Sequence, residues 1–282
     1  MRRPALKQKK TGNKKRVERN AFFYIGGAIS AAMTLFVIIG YIWTPYDPNL
    51  INGRAKMMAP CAQHLLGTDN LGRDVLSRIM QGAGTTFLVA LCVVAIGCIF
   101  GVLIGSFCGY YGGAADAVLT RICDTITAFP SILLALVIVA VTGGGTYNVI
   151  WALGILFIPS FARVVRTEYA RMRELNYVKS AKLMGAGDMR IMFVHILPNI
   201  FPVLLPTITI GFNNAVLSEA SMSFLGIGVQ PPQASLGSML NDAQTYMRNA
   251  PWFALSTGIV IVLLILGFSM LSEGLQQSKH RN

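Results

Sequence analysis

The side chains that could carry covalent chemistry in this chain do not converge. Its three histidines, His64, His195 and His280, fall in well-separated segments of the 282 residues. No His-Glu-x-x-His, Gly-x-Ser-x-Gly or Gly-Lys-Ser/Thr run occurs, so a zinc protease, a serine hydrolase and a phosphate loop each lack their residues. Gly67-x4-Gly72 has the outline of a phosphate loop, but Arg73 and Asp74 stand where Lys and Ser/Thr are needed. Cys92, Cys98, Cys108 and Cys123 lie in apolar runs and serve as filler, while Cys61 stands in a loop. No Cys-x-x-Cys spacing relates any of the five. The expectation is a chain with no catalytic residue, no metal site and no cofactor of its own.

The chemistry that remains is docking. Residues 163–198, RVVRTEYARMRELNYVKSAKLMGAGDMRIMFVHILP, form a basic loop between apolar segments. Asn176 can cap a helix over Tyr177–Met184. Gly185 can stop it, because a helix end favours a left-handed residue. Asp188 can cap the next helix, which runs into His195 and Pro198. Tyr177, Ala181 and Met184 fall at i, i+4 and i+7 and share an apolar face, with Lys179 and Lys182 on another. Such a helix suits a partner's groove. It equally suits a lipid surface or an ordinary basic loop, and these residues alone leave the three readings open.

The elements that position this loop are membrane spans. The chain is 54% hydrophobic and 13% charged, against about 25% charged in soluble domains. Apolar runs long enough to cross a hydrocarbon core of about 30 Å recur at 21–43, 86–109, 117–142, 147–166, 197–222 and 251–272. Arg121, Asp124 and Pro130 interrupt the third. The first has charged flanks and no small-residue cleavage site, so it is a retained helix rather than a cleaved signal. Of 24 Lys/Arg, residues 1–20 hold nine and residues 163–195 hold seven. Arg54, Lys56, Arg73, Arg78 and Arg248 lie on the other side. The asymmetry follows the positive-inside rule and places both termini in the cytoplasm. It makes the basic tail a topology signal, which anionic lipid headgroups can hold, and not a nucleic-acid arm.

Within the spans, Gly97, Gly101, Gly105 and Gly109 recur every fourth residue and make one smooth helix stripe for a close neighbour, in this chain or in another subunit. Pro198, Pro202 and Pro206 repeat the same stride and predict a bent helix lining a cavity. Asn213, Asn214, Ser218, Glu219 and Ser221 make its outer half polar. They face a water path or hydrogen-bond neighbouring helices, with Glu219 near the outer interface. In the external loop 44–85, Asp74 and Arg78 are spaced to pair on a helix. A second external loop, 223–250, ends in a helix near 236–248.

The segment YVKSAKLMGAGDMRIMFVHILPNI resembles the signature loop of ABC-importer membrane subunits. That loop has Glu-Ala-Ala, three residues, Gly, then an Ile-x-Leu-Pro-type ending. Here it runs Lys179-Ser180-Ala181, Gly185, Ile196-Leu197-Pro198. TPYDPN at 44–49, HLLGTDNLGRDVLSRI at 64–79, TAFPSILLA at 127–135 and EASMSFLGIGVQPPQASLGSML at 219–240 are similar to the second, C-type permease of dipeptide, oligopeptide and nickel importers. The resemblance spans about residues 20–275.

It implies an all-α integral membrane permease of the type I ABC importer fold, with about six transmembrane helices in a bacterial cell membrane. The layout would be a basic tail 1–20, a first helix 21–43, an external loop 44–85, a permease core 86–275 and a cytoplasmic tail 276–282. The core would include a coupling loop 167–196. A second permease subunit would complete the path. Two ATPase subunits would bind ATP and Mg, and an external binding protein would deliver substrate, either a peptide or a nickel or other metal chelate. Tyr177, Lys179, Ser180, Ala181, Met184, Gly185, Ala186 and Asp188 would couple to the ATPase. Pro202, Pro206, Asn213, Asn214, Ser218 and Glu219 would line the path. Lys179 departs from the family's acid at that position, and SEGLQQSKHRN departs from its usual tail. A secondary carrier or a channel is the competing class, although no inverted repeat is visible. An integral-membrane enzyme is a third.

Overall fold

A computed structural model describes residues 7–279, and side chains within 22–276 other than Ala115. Residues 1–6 and 280–282, which include the first basic residues of the tail and His280, lie outside the described residues. The described chain is helical throughout, apart from loops and one isolated bridge between Thr68 and Asp74. The long helices are α1 (Lys7–Ile42), α2 (Val75–Tyr111), α3 (Gly113–Thr127), α4 (Ser131–Thr142) and α5 (Thr146–Met172). After them come α6 (Asn176–Leu183), the single turn α7 (Asp188–Arg190), a π-helical turn (Ile191–Ile196), α8 (Leu197–Phe224), α9 (Leu236–Thr245) and α10 (Pro251–Lys279).

Five helical segments are long and apolar enough to cross a bilayer: Phe22–Ile42, Val75–Tyr111, Thr146–Met172, Asp188–Phe224 and Pro251–Gln276. The sixth expected span is broken, because Asp116–Thr127 and Ser131–Thr142 meet at 85°. Pro130 causes the break, since it has no N–H to donate and drives Phe129 out of the helical region. Three boundaries also differ from those expected. α1 reaches back to Lys7 through the basic stretch, whose Lys and Arg are good helix formers. α2 begins at Val75, inside the expected external loop, because the Asp74 carboxylate accepts from Ser77 N at 2.8 Å and caps it. α5 runs on to Met172, so Arg163 and Arg166 are helical rather than loop residues.

The centre of the fold is the contact between α2 and α5. The stripe Gly97, Gly101, Gly105, Gly109 lies against Phe157, Phe161, Ala162, Val165, Arg166 and Tyr169 of α5. A Cβ at Gly101 would fall 2.5 Å from the Phe161 Cβ, and one at Gly105 would fall 2.5 Å from the Ala162 carbonyl oxygen. The stripe thus serves packing within this chain. Phe161, 1% exposed, also fills the space beside Gly211 of α8, tying three helices together. α10 packs along α1 in the same manner, at Gly26, Gly267 and Gly274.

The loop between α1 and α2 is organised by a carboxylate that the motif reading did not single out. Asp69 is fully buried. It accepts from Leu71 N (2.8 Å), Arg73 N (2.9 Å) and Arg73 Nε (2.6 Å), and Arg78 Nε stands 3.6 Å away. Arg78 therefore pairs with Asp69, not with Asp74 as the spacing suggested. Asp74 is occupied by the cap and by His64 Nδ1 at 2.9 Å. Gly67 and Gly72 have φ of +74° and +77° and serve this turn rather than a phosphate. Nearby, burial holds the Asp242 carboxyl above its ordinary value, against the opposing pull of Arg78 and Arg73.

Gly105→Leu should force α5 off α2 and cost about 1–3 kcal/mol, read as a lower melting temperature of the detergent-solubilised protein. Gly258→Leu is the control, since nothing lies within 4 Å of its Cβ position. Equal melting of the two variants would remove the stripe from its central place.

Candidate functional site

α6 is seated on the chain's own helices by two residues. Val178 and Ala181 are buried. They pack in a cluster with Val165 and Tyr169 of α5, Ile191, Met192 and Ile196 of the π turn, and Leu204 of α8. Tyr169 donates its hydroxyl to the Met192 carbonyl at 3.0 Å, closing α5 onto the π turn. The Tyr110 hydroxyl donates to Asp188 Oδ1 at 2.6 Å, and Arg173 donates to the Tyr110 carbonyl at 3.1 Å. The end of α2 thus holds both ends of the α6 segment.

Several details differ from those the sequence suggested. Asn176 is the first helical residue, and Leu175 occupies the cap position without a side-chain bond. Asp188 likewise lies inside its helix turn, behind Gly187, and its carboxylate accepts a hydrogen bond from the Tyr110 hydroxyl instead of capping. Tyr177, Ala181 and Met184 do not share one buried face. Ala181 is buried, Tyr177 sits at the edge, and Met184 is 81% exposed. Helix rotation explains this, because Val178 rather than Tyr177 completes the seat beside Ala181. The opposite surface presents Leu183, 89% exposed, with Lys179, Ser180 and Lys182 also exposed. Gly185 ends α6 at φ +85°. Gly185 N donates to the Lys182 carbonyl and Ala186 N to the Ala181 carbonyl, both at 3.1 Å, forming a Schellman cap. Lys179 Nζ lies 3.4 Å from a Glu174 carboxylate oxygen.

Arg163 and Arg166, counted with the loop's cations in the sequence, serve α3 instead. Arg166 holds Asp116 through two nitrogens, one at 2.7 Å, and Arg163 reaches Asp124 at 3.0 Å.

A cleft of about 560 Å³ opens between α4, α5 and α8. Its polar lining is Ser131, Ser160, Thr207, Asn214, Ser218 and Ser221, and no charged residue lines it. Asn213 lines a second cleft, of about 510 Å³, between α8 and α10. The other path candidates face neither. Pro202 is exposed and Pro206 buried, and α8 runs unbroken through both. The irregularity falls just before Pro198, in the π turn. Glu219 is fully buried, so it hydrogen-bonds neighbouring helices rather than facing a water path. Ser223 donates to it at 2.7 Å, and the hydroxyls of Thr86 on α2 and Ser235 ahead of α9 are its neighbours. Ser131, Ser160 and Thr207 escaped the sequence reading, because single hydroxyls in apolar helices carry no signal until the helices are placed.

A membrane-helix core with a short helix turned outward at one end has known relatives. The family model described as "Binding-protein-dependent transport system inner membrane component" matches residues 101–280. The chain belongs to this family. As a binding-protein-dependent permease it is 37% identical over 264 residues to the dipeptide transport system permease protein DppC of Alkalihalophilus pseudofirmus, covering 94% of this chain and 87% of that one. It is 38% identical over 257 residues to the glutathione transport system permease protein GsiD of Pectobacterium atrosepticum, covering 89% and 85%. Inward-facing structures of the MetNI methionine ABC transporter share the fold. They give a TM-score of 0.56 at 20% identity, over 72% of this chain and 95% of that chain. The type I importer permease fold and the multi-pass membrane class expected from the sequence are thus both met. The permease is a transport subunit of the ABC importer class and not an enzyme.

If the α4–α5–α8 cleft is continuous with water, Asn214→Cys and Ser218→Cys in a cysteine-free background should react with a charged thiol reagent. Glu219→Cys, behind them, should not. Equal protection of all three would take α8 out of the path.

Proposed function

We propose that this permease forms half of the path by which an ATP-driven importer takes up small peptides, with a second permease subunit as the other half. Its basic ends and α6 lie in the cytoplasm under this reading. Two ATPase subunits, binding ATP and Mg themselves, dock on α6, and an external binding protein delivers the peptide. The observation that carries the reading is the split of α6. Val178 and Ala181 lock it to α5 and α8, while Leu183 and Met184 are 89% and 81% exposed. Two adjacent apolar side chains turned outward on a helix rigidly tied to the spans are suited to a partner's groove. Movement of that partner would pass through the Tyr169–Met192 and Val178–Ala181 contacts to α5 and α8, which flank the cleft. That is coupling through one packed element with two positions.

The relatives named for dipeptides and glutathione support a peptide over a metal chelate as the cargo. The uncharged cleft supports it too, because serine, threonine and asparagine groups can hydrogen-bond a peptide backbone without selecting a side-chain charge.

The test is uptake of a labelled dipeptide by proteoliposomes holding both permeases and their ATPase subunits, with the binding protein supplied on the outer side. Uptake should require ATP. Leu183→Asp and Gly185→Trp should each reduce it to background while leaving membrane insertion intact. The Gly185 Cβ position is open, but its φ of +85° strains any side chain, so Gly185→Trp tests α6 together with its cap, and Leu183→Asp on the exposed face tests the partner contact by itself. Bulk at Ala181 is less informative, since it would unseat α6 itself. Normal uptake in Gly185→Trp would remove α6 from the coupling role, and uptake without ATPase subunits would favour a carrier.

A further inference from the structure

The surface around α6 has a charge pattern that specifies its partner. Between residues 168 and 190 stand five cations, Arg171, Arg173, Lys179, Lys182 and Arg190, and three acids, Glu168, Glu174 and Asp188. The acids are committed within the chain. Glu168 pairs with Arg171 at 2.6 Å, and Asp188 accepts from Tyr110. Glu174 is shared between Arg173 and Lys179, each at 3.4 Å. Among the described residues, Lys182 and Arg190 enter no ion pair. Both sides of the Lys179–Glu174 contact are more than half exposed, at 56% and 63%, so that contact is weak and readily exchanged. Lys179 and Lys182 border an open cleft of about 390 Å³ at the foot of α2, and Leu183 and Met184 follow directly in the chain.

We infer that the ATPase groove receiving α6 has an apolar floor for Leu183 and Met184, and a rim carrying carboxylates that meet Lys179 and Lys182. The inference rests on the docking proposed above and adds the chemistry of the partner. A cationic rim on the partner would set like charges together, which complementary interfaces avoid. Cations at this end also orient the chain in the membrane, but orientation needs only their presence on one side. It does not need two lysines on the exposed face of α6 beside two exposed apolar residues.

The experiment is co-purification of the ATPase subunits with the full permease pair in nanodiscs, compared at low and high salt. For Lys179→Glu/Lys182→Glu the bound ATPase should fall about tenfold, with Lys179→Gln/Lys182→Gln intermediate and less salt-sensitive than the natural chain. Reversing an acidic pair on the ATPase rim should restore the Glu variant. Leu183→Asp separates the two levels of the claim. If it leaves ATPase binding unchanged, the docking itself fails. If it abolishes binding while both double variants bind as the natural chain does, docking stands and the acidic rim is overturned. Repeating the series in neutral and in phosphatidylglycerol-rich nanodiscs tests a lipid role. An effect of the lysines confined to anionic lipid would assign them to headgroups and overturn the inference.

Discussion

The close approach of α2 and α5 is the contact on which the remaining geometry depends. Apolar side chains gain little by leaving lipid for one another, so helices in a bilayer associate through packing at short range. Gly101 and Gly105 let the α5 backbone come within reach of α2. Phe161 then fills the space between that pair and Gly211. At the far end of the same helix, Tyr169 lies over Gly109 and donates to Met192. One helix face therefore sets a wall of the large cleft and the seat of α6. Any shift of α5 along the stripe would be felt at both.

Charge is sorted by the same constraint. Ions are costly away from water unless paired or hydrogen-bonded. Asp69 is buried with two arginines and a set of backbone donors, and Asp116 with Arg166 clamps α3 to α5. Among the described residues the cleft between α4, α5 and α8 offers no such partners, and its polar side chains are five hydroxyls and the Asn214 amide. Among the described residues Lys182 and Arg190 enter no ion pair, and they stand at the α6 end, where water or a partner can satisfy them.

Much of this was legible because its cause is local. Hydrocarbon thickness demands runs of about 20 apolar residues, and these are visible directly. Pro130 marks the break between α3 and α4, and Gly185 marks the end of α6. Both act through a single residue's φ or missing N–H. The glycine stride announced a close contact without naming the other helix, since a stripe is a property of one helix and its partner is not. The motifs resembling importer permeases identified the family, which the relatives and the shared fold then established.

What the sequence determined by itself was the membrane class, the helical elements and the presence of an amphipathic helix at 177–184. What the tertiary structure decided was the direction each side chain faces. It turned Ala181 inward with Val178 and Met184 outward with Leu183. It gave Arg78 to Asp69 instead of Asp74, and Arg166 to Asp116. It also buried Glu219 behind the cleft that Asn214 and Ser218 line. Helical periodicity sets only relative angles around an axis. The absolute rotation of each helix is chosen by what packs against it, here the α2–α5 contact and the cluster beneath α6.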